Sequence, residues 1–219
     1  MRRLFRPMFG AFLVSASCAA LVVAQTPPAG TTPPAGGAPA KAPAQPTKDA
    51  PAAAATTSNF FPSKKGTKWV YKVAENSIEV AAGEGGKLDT LVGGKTVASE
   101  TIEVKADGIY RTKVNNVAIE PPVKILALPA DKDANWTVES KLNGQAIKGK
   151  FTQKGAKEKV TVPAGQFDCV VVDGPDFDIA GAKCGIKYWF ADGKYVVKMV
   201  YNIAGNEALL ELKEFTEAK

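Results

Sequence analysis

Turn signals recur at roughly ten-residue spacing through most of this chain, and no other feature constrains its fold as strongly. Gly85-Gly86, Gly93-Gly94, Asp107-Gly108, Asn115-Asn116, Asn143-Gly144, Asp192-Gly193 and Gly205-Asn206 each pair residues that tolerate φ > 0. Between them the apolar residues alternate with polar ones. Trp69, Tyr71 and Val73 alternate with Lys68 and Lys72, Ile102 and Val104 with Thr101, Glu103 and Lys105, and Ile147, Gly149 and Phe151 with Lys148 and Lys150. A period of two is the signature of a half-buried strand, and no sustained period of 3.6 is present. The pattern predicts an all-β antiparallel meander of about 11–13 strands. Pro121-Pro122 interrupts the ladder, because proline has no N–H to contribute.

The densest apolar strands lie between Lys159 and Lys198. A two-residue turn at Asp192-Gly193 would set Phe190 opposite Tyr195, Tyr188 opposite Val197 and Ile186 opposite Met199. A disulfide between Cys169 and Cys184 would set Phe167 opposite Ile186, on the same face as Tyr188 and Phe190. Two buried thiols are the alternative, since unbridged cysteine behaves as a small apolar residue. Val170, Val172, Trp189, Val196 and Val200 then make a second apolar face, which needs cover from sheet curling, the Val123 to Ala130 segment, a ligand or a partner.

The termini of this domain follow from composition. Met1–Ala24 reads as a signal peptide, with Arg2, Arg3 and Arg6 ahead of an apolar run and a cut expected before Gln25. Cleavage there removes Cys18; a lipoprotein signal acylated at Cys18 is the other reading, weakened by Ser15 where a lipobox carries a Leu-like residue. Residues 25–58 are Pro, Ala, Thr and Gly with almost no large apolar side chain, a disordered or extended linker. Residues 59–219 form one all-β domain. Loss of the leader's three arginines lowers the formal charge of +6 to +3 and leaves Arg111 as the only arginine. Scattered lysines without arginine clusters do not suit nucleic acid. Location is predicted to be extracytoplasmic, in periplasm, at the cell surface or secreted, with no transmembrane span once the leader is gone.

Phe60-Phe61-Pro62, Gly66-Thr67-Lys68-Trp69-Val70-Tyr71, Val160-Thr161-Val162-Pro163-Ala164-Gly165-Gln166-Phe167 and Tyr188-Trp189-Phe190-Ala191-Asp192-Gly193 with Val197-Lys198 resemble a group of bacterial secreted proteins of unknown function. These share G-x-x-W-x-Y, V-x-V-P-A-G-x-F and Y-W-F-A-x-G-x-x-x-V-K motifs. The resemblance spans about Phe60 to Phe215, and it departs at Lys194-Tyr195, where relatives often carry Gly or Val. It implies a strongly curved sheet or half-open barrel, distantly similar to lipoprotein carriers, and it brings no catalytic residues.

The absence of histidine excludes Ser-His-Asp and Cys-His mechanisms and the commonest zinc sites. Asp173, Asp176 and Asp178 form an acidic loop, read as a polar hairpin loop before a calcium site or a carboxylate pair. No catalytic residue, metal ligand or cofactor site is therefore predicted. Trp69, Tyr71, Phe151, Phe167, Tyr188 and Phe190 are the candidate aromatics, as core or as the wall of an apolar ligand site. Three readings follow: a non-enzymatic domain binding a lipid, another apolar ligand or an envelope protein in its concave face; a structural envelope component with a filled core; and, last, a carboxylate hydrolase.

Overall fold

A computed structural model describes residues 59–203 and 205–219. The signal peptide, the linker and the fate of Cys18 lie outside the described residues. Among the described residues twelve strands follow one another: β1 (Lys68–Val73), β2 (Asn76–Ala82), β3 (Lys87–Val92), β4 (Lys95–Lys105), β5 (Gly108–Val114), β6 (Val117–Ala127), β7 (Ala134–Leu142), β8 (Gln145–Val162), β9 (Gly165–Ile179), β10 (Ala182–Ala191), β11 (Tyr195–Ile203) and β12 (Asn206–Thr216). Each pairs antiparallel with the next, as the alternation predicts. The expected half-open barrel is corrected to a closed one. β1 is paired on both sides, Tyr71 lying opposite Ile78 of β2 and Leu212 of β12, so the first and last strands meet and no edge is left.

Tight turns account for the up-and-down course. Asn115 and Asn116 both have positive φ, as do Asn143 and Gly144, which suits connections that follow the sheet's right-handed twist. Those turns share one end of the barrel. The other end, the base, is closed by its own chain. Phe61 packs edge-on to Tyr195 at 5.1 Å, Trp69 Nε1 donates to Lys194 O at 2.7 Å, and Gly193 N donates to Asn59 O at 2.8 Å. The long β8–β9 hairpin reaches β12 through Ala164 N to Leu212 O, 2.9 Å.

The central meander departs from the predicted register. Its connection holds three residues, Asp192, Gly193 and Lys194; Lys194 N donates to Ala191 O (3.1 Å) and Tyr195 has φ 65°. Ala191 therefore faces Tyr195, and a bulge at Trp189/Phe190 sets Phe190 opposite Val196, Tyr188 opposite Met199 and Ile186 opposite Tyr201. β9 runs unbroken through Gly174-Pro175, with Gly174 opposite Ile186 and Phe167 opposite Val160. Val170 and Val172 face Phe190 and Tyr188, so they share the interior with them. The second apolar face thus shrinks to Trp189, Val200 and their neighbours. Lys187 and Lys198 lie over the Trp189 ring, 4.9 and 5.5 Å from its centre, and supply cover without a ligand.

The disulfide is corrected as well. Cys169 faces Ala191 and Cys184 faces Phe177, seven positions apart along β10, a separation on the order of 20 Å. No bridge spans that distance, and both residues are buried thiols. Cys169 Sγ donates to Phe167 O at 3.7 Å. Thiol titration of the unfolded, unreduced domain is expected to count two; a count of zero would restore the bridge.

Candidate functional site

The aromatics singled out by the sequence do gather inside the barrel, with one exception. Phe151 lies 4.6 Å from Phe177 and 6.2 Å from Tyr188 between ring centres, and Tyr188 continues to Phe190 at 5.6 Å. Phe190 meets Tyr195 at 5.7 Å, and Tyr195 meets Trp69 at 6.2 Å. Tyr71 donates its hydroxyl to Val196 O at 2.7 Å. Phe167 stays half-buried on the β8–β9 hairpin and is not in this chain of rings. Glycine makes the packing around Phe151 fit: a Cβ on Gly174 would stand 2.5 Å from the Phe177 ring and 2.7 Å from the Phe151 ring.

The interior also holds a pair that sequence reasoning missed. Arg111 Nε lies 2.6 Å from Glu100 Oε2, the two side chains being 13% and 14% exposed. The contact is an ion pair, with these two atoms out of hydrogen-bond alignment. Burial pulls the guanidinium down, but Glu100, with help from Tyr188, Tyr201 and Tyr195, holds it above its ordinary value. Burial first, then the Glu100 charge, pushes Tyr71 and Tyr195 up. The signal was present in the alternation: Arg111 keeps step with buried Ile109, and Glu100 keeps step with buried Ala98 and Ile102.

A recess of about 50 Å³ lies inside the barrel near the end opposite the base. Val114, Ile119, Leu142 and Ile147 form its rim, while Phe151, Phe177, Tyr188 and Arg111 line its depth. The recess abuts the β6–β7 seam, where the ladder has two rungs, Ile119–Leu142 and Glu120–Lys141. Pro121 and Pro122 stop it there, as the sequence predicted. Side chains hold the rest: Trp136 Nε1 donates to Lys124 O at 2.9 Å, and buried Gln153 accepts from Ala127 N at 2.9 Å and donates to Lys132 O at 3.1 Å.

Other polar groups are engaged locally. The expected acidic hairpin loop is corrected to strand: Asp173, Asp176 and Asp178 lie on β9, and at its end Asp178 accepts from Gly181 N at 2.8 Å and pairs with Lys183 at 3.1 Å, bracing the turn that follows. No three His, Cys, Asp or Glu among the described residues converge as a metal set. Asp107 takes a hydrogen bond from Tyr110 at 2.7 Å and an ion pair with Lys124 at 2.6 Å, bracing β5 to β6 on the outer wall. Burial pushes the Cys169 thiol up to about 12, with smaller contributions from Glu158 and Asp168. A thiol so held is not a nucleophile near neutral pH.

The fold and recess define a closed, up-and-down β-barrel with a sealed base and an apolar recess near its other end. No protein-family model and no curated protein matches the chain. Two solved structures align with the chain: a candidate lipoprotein from Parabacteroides distasonis ATCC 8503 (TM-score 0.44, 15% identity, covering 74% of this chain and 100% of the other) and a candidate exported protein with a YmcC-like fold from Bacteroides fragilis NCTC 9343 (TM-score 0.37, 13% identity, covering 73% of this chain and 100% of the other). At these scores nothing about this chain's role follows from them.

Proposed function

We propose that the protein is an exported, non-enzymatic barrel domain on a Pro/Ala linker, binding an apolar molecule through the recess lined by β5 to β10. The location rests on the leader-like residues 1–24 and the linker composition of residues 25–58. The observation that carries the binding reading is the composition of the recess. Its rim is branched aliphatic, and the charge at its depth is already neutralised by Glu100, so a ligand needs no polar group there. The non-enzymatic reading is supported by the raised Cys169 thiol and by acidic side chains committed to lysine partners.

A recess of about 50 Å³ does not hold a whole ligand, for which several hundred cubic ångströms are usual. That same observation favours a second reading, a structural envelope component with a filled core. Native mass spectrometry of protein purified from its own envelope separates the two. A lipid-sized adduct on the folded chain is the expected result; a bare chain mass throughout favours the structural role.

A further inference from the structure

We propose that the barrel opens sideways at the β6–β7 seam, and that the opened seam admits one unbranched apolar chain, alkyl or acyl, into the recess behind it. The proposal rests on the binding reading above and supplies the room that the recess as it stands lacks. Every other neighbouring pair of strands is joined by more rungs; the next shortest ladder, β2–β3, has four. Parting β6 from β7 therefore breaks fewer backbone hydrogen bonds than opening the ring anywhere else. The weakness is built into the covalent chain, since Pro121 and Pro122 offer no N–H with which to extend the ladder.

The seam and the recess share their walls. Ile119, Val123 and Ile125 of β6 and Leu142 of β7 flank the gap, and the same residues line the recess. Separating the two rungs gives the recess a lateral way out in addition to its rim, at a place remote from the base. Lower down, the Trp136 and Gln153 hydrogen bonds to β6 limit the opening to the upper part of the seam. On the outer wall two clefts of about 820 and 590 Å³ meet over the seam and share Pro121, Glu139 and Ser140. They provide a path along which a chain can lie before it enters.

The ligand class follows from the walls. Branched aliphatic side chains reward methylene contact and offer no partner to a polar shaft. The Arg111–Glu100 pair, closed on itself at 2.6 Å, asks for no anionic tip. An unbranched chain entering tip first, with its polar head left outside among Glu120, Lys141 and Lys148, meets both conditions.

The test staples the seam. Glu120 and Lys141 are exposed and directly opposite each other, a separation that a disulfide spans in an antiparallel pair. The E120C/K141C variant is titrated with cis-parinaric acid, a long-chain polyene fatty acid that fluoresces on leaving water. K159C/D168C, which staples an exposed rung of the β8–β9 hairpin, serves as control. The parent chain and the reduced seam variant are expected to bind the probe. Oxidation of the seam variant is expected to weaken binding about tenfold or more, reversed by reductant, with the control unaffected. Equal binding by the oxidised and reduced seam variants overturns the sideways entry and leaves the binding reading standing. No binding by the parent chain overturns both. Hydrogen exchange on the parent chain gives an independent measure if the variant folds poorly: amides of Ile119, Glu120 and Leu142 are expected to exchange well before those of Val170–Val172, and equal protection overturns the proposal.

Discussion

Replacing Arg111 with methionine is expected to cost about 3–5 kcal/mol, because it strands the Glu100 carboxylate inside the barrel without its cation. Both partners are some six-sevenths buried, so solvent does not screen their interaction as it does at the surface. Lys65–Glu84 provides the contrast. At 2.8 Å it is nearly as short, but its side chains are 68% and 80% exposed, and Lys65→Ala is expected to change stability by less than about 0.5 kcal/mol. For a domain of this size the Arg111 loss corresponds to a drop in melting temperature on the order of 10 °C. Replacing both members, Glu100→Met with Arg111→Met, is expected to recover most of it, since a buried pair is often close to neutral against apolar residues of similar volume. Urea unfolding of the singles and the double gives the coupling. A single-variant cost below about 1 kcal/mol would place the pair among the screened surface contacts.

The strand count, antiparallel order and buried aromatics were legible because they depend on local pattern. Asn115-Asn116 and Asn143-Gly144 announce turns by their tolerance of positive φ, and Trp69, Tyr71 and Phe151 announce an inner face by alternation. Closure was not legible, because the pairing of β1 with β12 joins residues at opposite ends of the domain. Register in the centre failed for a sharper reason. The connection after Ala191 has three residues, with bulges at Trp189/Phe190 and at Cys184/Ile186. Each bulge changes which face the following residues meet; the miscounted turn carried Val196 to the wrong side, and the assumed Cys169–Cys184 bridge did the same to Val170 and Val172. The disulfide was a separate register argument, and it fell because Cys169 and Cys184 meet positions seven residues apart along β10. Pro121-Pro122 shows the opposite case: a missing N–H is a property of the residue itself, so the weak seam could be read directly. Arg111 and Glu100 occupied inward positions in plain view, but alternation gives a face and not a partner three-dimensionally adjacent to it.

Stability is expected to fall steeply as pH rises from about 9 to 12, far more than over the same span on the acid side. Cys169 is raised from 9.0 to about 12 by burial, with Glu158 and Asp168 adding to it. Tyr71 and Tyr195 are raised from 10.0 well above the usual range, by burial and then by the Glu100 charge, while Arg111 opposes the shift at Tyr195. In the folded barrel these groups keep their protons through that window, whereas the unfolded chain releases them at ordinary values. Above pH 9 the folded state therefore binds more protons, so the stability these groups provide, fully present at neutral pH, is progressively lost. Each contributes a slope of up to about 1.4 kcal/mol per pH unit once its unfolded form ionises. On the acid side the lowered carboxyls are Asp107 and Asp178, held down chiefly by hydrogen bonds from Lys124 and Lys183 on the outer wall, where water competes for them. Urea midpoints at pH 7, 9, 10.5 and 11.5 measure the alkaline limb. Tyr71→Phe loses the 2.7 Å hydrogen bond to Val196 O and lowers stability at neutral pH, yet its alkaline slope is expected to be shallower by one group. A midpoint that stays level between pH 9 and 11.5 would show that the phenols and the Cys169 thiol ionise without leaving the barrel.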